Sequence, residues 1–283
     1  MEFNTRKNTK LIIVAIVIGI IILPIFNYSI SNRGVSNHVD IVEGKDLDEK
    51  EELNKLEETK TAMEKVKETF VFAKIIGDSP CYNNYSNNKE QIGSFKKDEI
   101  VEVIRDRSYE WYLVKSRDGR EGWVCSTNLV ISDDPETNQE QMTKEEIEEF
   151  INYRGFKSDT DYLIWVDIDR QLTHVLLKEE DNWKLHRTML SSTGKNSSPT
   201  IKGLYKIQDR GTWFYTERLR SGAKNWVRFN GPYLFHSLAM DKQGNVVDYT
   251  LGKRASDGCV RLSLEDSEWF YNNIEENSTV FIN

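Results

Sequence analysis

The sequence predicts a mainly β protein, with two β-rich domains behind an N-terminal helical region. Three observations carry this. Short runs of β-branched and aromatic residues, separated by turn signals, fill the chain from about residue 99 onward. All seven Trp lie after residue 110, which places the ordered cores in the later part. Between Lys45 and Gly77 there is no Gly or Pro and charge dominates, which suits a helix and not a sheet. At 283 residues the chain has room for two domains plus extensions.

From Leu11 to Asn32 no side chain is charged. A helix over 11–30 would be about 30 Å long, one hydrocarbon core. Arg6, Lys7 and Lys10 precede it, so residues 1–10 are expected as a cytoplasmic tail and everything after residue 30 outside the cell. A cleaved signal peptide is the rival reading. The segment after Phe26, Asn27-Tyr-Ser-Ile-Ser-Asn-Arg33, lacks its small-x-small site.

Residues 31–70 then read as a charged helical stalk. Asp40 to Glu68 holds 11 acidic residues and 6 Lys, and Asp46/Lys50 and Glu51/Lys55 are i,i+4 pairs with the acid first. The apolar stripe of Leu53, Leu56, Met63, Val66 and Phe70 is thin. It suits a solvated, self-supporting spacer, with a weak stalk dimer as the alternative.

A small β domain is expected over 71–132. Glu99-Ile-Val-Glu-Val-Ile104 alternates, Trp111-Tyr-Leu-Val114 is compact and apolar, and Arg117-Asp-Gly-Arg120 is a turn before Gly122-Trp-Val124. The Asp118-Gly-Arg-Glu-Gly-Trp-Val124 stretch resembles a bacterial SH3-like domain, a small β-barrel. The family's usual opening motif is absent between Ala73 and Ser86. The resemblance implies binding of wall peptides. A spacer with Trp111 and Trp123 as core residues is the alternative.

Residues 133–159 read as a polar linker, followed by a short helix that opens on the capping box Thr143-Lys-Glu-Glu146. The last domain, 160–283, should begin with antiparallel hairpins. Its runs are Tyr162–Ile168, Gln171–Leu177 and Trp183–Leu190. A helix over about Leu264–Asn273 and a strand over Thr279–Ile282 close it, and His174 and His186, within the strand runs, are expected on a solvent face with no function assigned.

The chemistry-bearing residues lie in this domain. Cys259 follows Gly258 and precedes Arg261, and His236 stands upstream with 19 residues between it and Ser256. A thiolate is a nucleophile, an imidazole can take its proton, and amides beside a glycine can hold an oxyanion. The three cysteines, Cys81, Cys125 and Cys259, are an odd set. A Cys81–Cys125 bridge is open, and it would leave Cys259 free. The net charge of −8 argues against nucleic acid. No Cys/His cluster has metal-ligand spacing, so neither a metal nor a cofactor is expected.

The ordered segments Ser192-Thr-Gly-Lys195, Ser198-Pro-Thr200, Asp209-Arg-Gly-Thr-Trp-Phe214, Tyr233-Leu-Phe-His-Ser237 and Ser256-Asp-Gly-Cys-Val-Arg-Leu262 resemble the L,D-transpeptidase catalytic domain. The resemblance implies a β-rich fold and a cysteine acyl-enzyme that takes peptidoglycan stems, releases D-Ala and forms 3→3 cross-links. Cys259 is then the nucleophile, His236 the general base, and the Gly258 and Cys259 amides the oxyanion donors. Arg261, Ser256, Ser237 and Tyr233 are the substrate-facing set. Arg261 could also stabilise the thiolate or brace its loop. It also implies acylation by carbapenems, and a backbone carbonyl that orients the base.

Two positions depart from the family. Ile201 replaces a proline, and Asp257 replaces the histidine before the glycine. A carboxylate there should raise the thiol's pKa, with Lys253, Arg254 and Arg261 available to offset it. Asp257 could instead orient His236 or receive the incoming amine. The alternatives in function are an L,D-carboxypeptidase on the same stems and a wall-binding protein disabled by Asp257. Sortases and the wall hydrolases found beside SH3-like domains place their Cys, His and Arg at other spacings or in another order.

Overall fold

The computed structural model describes residues 54–283. The expected tail, membrane anchor and first part of the stalk lie outside them. Among the described residues no helix is long and apolar enough to cross a membrane.

Seven strands form the first sheet: β1 (Phe72–Ile75), β2 (Ser79–Tyr82), β3 (Gln91–Phe95), β4 (Ile100–Arg107), β5 (Trp111–Ser116), β6 (Glu121–Cys125) and β7 (Leu129–Ile131). Their order is β3-β2-β6-β5-β4-β1-β7, an open path rather than a closed ring of hydrogen bonds. The alternation read in Glu99–Ile104 is real: Val101 and Val103 point inward, onto Ala73, Phe95, Tyr112 and Val114. Gly119 closes the β5–β6 turn at φ +88°, a conformation that costs glycine little. Cys81 is buried and Cys125 half-buried, and both are free thiols.

The second sheet has eleven strands. They are β8 (Tyr162–Asp167), β9 (Leu172–Glu179), β10 (Asn182–Ser192), β11 (Gly203–Lys206), β12 (Arg210–Thr216), β13 (Ser221–Asn230), β14 (Tyr233–His236), β15 (Ala239–Met240), β16 (Val246–Asp248), β17 (Val260–Leu262) and β18 (Thr279–Ile282). The hairpins β8–β9 and β9–β10 are antiparallel as read from sequence. Two pairings are parallel: β18 with β8, and β14 with β17.

Three helices pack on this sheet: α1 over 54–65, α2 (Lys144–Arg154) and α3 (Leu264–Asn273). Thr143 and Glu146 complete the capping box of α2, and Gly155 ends it in the left-handed region.

Side chains alternate along β8 and β18, so each strand serves two cores. Ile164, Val166, Val280 and Ile282 join Phe235, Val260 and Phe270 of α3. Leu163, Trp165 and Phe281 face the other way, onto Ile147, Phe150 and Ile151 of α2 and Ala62 of α1.

This second layer revises two expectations. Helix α1, read as part of a self-supporting stalk, is docked: Ala62 is fully buried, Lys65 pairs with Glu146, and its Lys65 carbonyl accepts from Arg170 at 2.8 Å. Of the thin apolar stripe, Met63 and Val66 pack against this core, while Leu56 and Phe70 stay exposed. His174, expected on a solvent face, is 1 % exposed because α1 and α2 cover that side of β9. It stacks on Trp165 and shares a 2.9 Å hydrogen bond with Thr188, and burial pushes its pKa down to about 3. His186, its companion in that reading, is exposed.

Candidate active site

The site forms where β14 and β17 run side by side. Phe235 pairs with Val260 and His236 with Arg261. Because side chains alternate, Phe235 and Val260 enter the core, while His236, Arg261 and Cys259, which stands two residues before Arg261, share the opposite face. The parallel register thus sets the imidazole diagonal to the thiol across neighbouring strands.

The loop that carries the thiol is held from several sides. Gly258 sits at φ +100°, and a Cβ there would lie 2.8 Å from the Tyr233 ring, so only glycine fits. Its carbonyl accepts from Thr200 at 2.8 Å, and Thr200 in turn accepts from the Gly194 amide. Ser256 Oγ donates to the Cys259 carbonyl at 2.5 Å, and the Ser256 and Ala255 amides donate to the Thr193 carbonyl. The Gly258 and Cys259 amides donate to no acceptor among the described residues, so both are available to an oxyanion.

His236 is 8 % exposed. Its Nδ1 lies 2.6 Å from the Ser237 carbonyl. A carbonyl only accepts, so Nδ1 carries the proton and Nε2 keeps the lone pair a base requires. Burial pushes the pKa down to about 4; the Ser237 carbonyl opposes this and the Arg261 charge adds to it. The thiol is shifted the other way. Cys259 is partly exposed, with Sγ 3.6 Å from the Pro232 carbonyl. Loss of water pushes its pKa up to about 11; the Leu234 amide opposes this, Asp257 adds to it, and Arg261 and Arg228 oppose it. The pair therefore rests as neutral thiol and neutral imidazole.

The other expected residues divide. Tyr233 lines the cleft beside Gly258. Ser237, expected to face substrate, is fully buried: its hydroxyl accepts from the Lys224 amide and donates to the Leu238 carbonyl. Ser256, also in that set, is 3 % exposed and serves the loop turn alone. Arg261 is buried and bonded to Asp248, with Nη1–Oδ2 at 2.5 Å, and its charge acts on both the imidazole and the thiol.

Asp257 makes no hydrogen bond or ion pair with His236. It accepts a hydrogen bond from the Tyr109 hydroxyl of the first domain and pairs with Lys195 at 3.4 Å. Lys195 is thus the neighbour that offsets its charge; Arg254 is instead bonded to Asn196. Asp257→Asn should lower the Cys259 pKa, and at pH 8 its alkylation by iodoacetamide, mapped by peptide mass, should speed up about threefold for half a pKa unit. An unchanged rate would mean that Lys195 already cancels the carboxylate.

Sequence reasoning missed Tyr109, the Leu234 amide, Asp248 and Arg228. The first acts across domains and the second is backbone, so neither carries a local signal. The described residues hold no group of three or more His, Cys, Asp or Glu arranged to bind a metal.

Residues 161–282 match the L,D-transpeptidase catalytic domain family, and residues 85–130 match the bacterial SH3 domain family. A Bacillus subtilis protein, YciB, itself a candidate L,D-transpeptidase, is 35% identical over 128 residues, 42% of this chain and 65% of its own. Among solved structures, a fused zinc-dependent amidase/peptidase/peptidoglycan-binding domain-containing protein of Clostridium acetobutylicum is 29% identical. That match covers 50% of this chain and 59% of that one, with a TM-score of 0.43. An L,D-transpeptidase from Mycobacterium smegmatis is 18% identical, covering 44% and 58%, with a TM-score of 0.36. The chain thus spans less than two thirds of the relatives named here.

Proposed function

We propose that this chain, which carries an L,D-transpeptidase catalytic domain over residues 161–282 behind a bacterial SH3 domain, is a peptidoglycan L,D-transpeptidase that works through a Cys259 acyl-enzyme. The observation that carries the reading is the orientation of His236. Its Nδ1–H is spent on the Ser237 carbonyl, which leaves Nε2 as the base on the face shared with Cys259.

The sulfur attacks the carbonyl of the third stem residue while Nε2 takes its proton. The Gly258 and Cys259 amides receive the negative oxygen. The bond to D-Ala breaks, and the imidazolium returns the proton to the leaving amine. An amine of a second stem then attacks the thioester, gives up its proton through His236, and leaves a 3→3 peptide bond with the thiol restored. Residues 11–30 would anchor the chain with both domains on the wall side of the membrane, an arrangement supported by their hydropathy and by the preceding basic residues.

The full chain incubated with a tetrapeptide muropeptide should release D-Ala and yield a cross-linked dimer, and a carbapenem should add its mass at Cys259. D-Ala release without the dimer would replace the reading with an L,D-carboxypeptidase. Wall binding with neither product would make it a non-catalytic wall protein.

A further inference from the structure

The SH3 domain is fixed against the catalytic domain. Tyr112 donates to the Ser197 carbonyl at 3.0 Å, Ser198 Oγ donates to Asp106 at 2.7 Å, and Lys202 pairs with Glu102 at 3.1 Å. Tyr109 reaches Asp257, two residues before the nucleophile. Between the domains lies a cleft lined by Arg105, Arg107 and Trp123 of the SH3 domain and by Arg218, Tyr233 and Asp257 of the catalytic domain.

The charges in this cleft are unevenly matched. Its two carboxylates are occupied: Asp106 by Ser198 and the Tyr109 amide, Asp257 by Tyr109 and Lys195. None of Arg105, Arg107 and Arg218 is paired with a carboxylate among the described residues, although the chain as a whole carries −8. Two are held on aromatic faces, Arg105 over Trp123 and Arg107 over Tyr85, each 5.3 Å from the ring centre. A guanidinium stacked this way keeps its N–H edge for an anion and loses little freedom in binding one. Arg218 faces them from the turn between β12 and β13.

We propose that the SH3 domain is one wall of the catalytic cleft and that Arg105, Arg107 and Arg218 form a subsite for a free carboxylate of the peptide stem. This rests on the peptidoglycan reading above. A stem offers two such groups, the side-chain carboxylate of a third-position diamino acid and the terminal carboxylate of D-Ala, and a bidentate guanidinium suits either.

The test uses the full chain and its Arg105→Ala/Arg107→Ala variant, with synthetic diaminopimelate-containing tetrapeptides in three forms: unmodified, amidated at the third residue, and amidated at the terminus. On the unmodified peptide the variant should raise KM about tenfold and change kcat less than twofold, with Cys259 alkylation by iodoacetamide unaltered. One amidated form should bind wild type and variant equally, and that form identifies the carboxylate. An unchanged KM, or the same loss on all three peptides, would overturn the proposal. If wild type releases no D-Ala, the transpeptidase reading fails by itself. Calorimetric binding of the same three peptides then reads the subsite without chemistry, and equal binding to wild type and variant would end it too.

Discussion

Replacing Cys259 with alanine should remove acyl-enzyme formation and lower kcat/KM for D-Ala release by at least about a thousandfold, roughly 4 kcal/mol of transition-state stabilisation. The fold should be nearly untouched. Cys259 is partly exposed, and its sulfur makes one weak contact, 3.6 Å to the Pro232 carbonyl, so alanine leaves no large buried void. The loop is held by Thr200, Ser256 and Thr193 through backbone atoms that the substitution keeps. Intact mass after a carbapenem, kinetics of D-Ala release and thermal melting check the three parts. Cys259→Ser sharpens the comparison. A hydroxyl of similar shape is much harder to deprotonate, so it should be nearly as inactive as alanine if the thiol is the attacking group. Turnover by Cys259→Ala within tenfold of wild type would mean that another group carries the chemistry; Cys81 is buried in the first domain's core and cannot substitute for it.

How far the sequence led depended on whether a feature was local. The helix over 264–273 and the strand over 279–282 match their structural bounds because a serine cap and a short β-branched and aromatic run are written within a few residues. The parallel pairing of β14 with β17, which makes the site, joins strands separated by 23 residues (236 to 260) and has no local signature. Its consequence was still legible, because the ordered His, Gly, Cys and Arg resemble a family. Burial was the weaker inference. The resemblance puts Ser237 and Ser256 among the substrate-facing residues, yet both are enclosed: Ser237 follows His236 and turns to the other side, and Ser256 is bound into the loop turn. The local run around His174 suits an open face, and nothing in it marks the helices, earlier in the chain, that cover that face. Tyr109 belongs to the same class of omission. It sits in a turn at φ +62°, legible as a turn, while its partner Asp257 is 148 residues away.

His236→Ala tests the protonation scheme as well as the residue. In the resting site the imidazole is held near 4 and the thiol near 11, so the working combination is neutral imidazole with intact thiol. Lowering the pH through about 4 protonates Nε2 and removes the base. Raising it through about 11 removes the proton the base is there to take. Wild-type acylation should therefore be flat across neutrality. Without the imidazole the reaction must wait for thiolate that forms unaided. At pH 7 a thiol of pKa near 11 is ionised in about one molecule in 10⁴. The variant should consequently lose about 10² to 10⁴ in rate at pH 7, and its remaining activity should rise close to tenfold per pH unit between about 7 and 10. The deficit should shrink as the pH rises, which a merely structural defect would not reproduce. Added imidazole should restore part of the rate at neutral pH if it enters the vacated space beside Phe214, the ring now set edge-on to His236. If the variant keeps a flat profile and a rate within threefold of wild type, the proton leaves the thiol by another route.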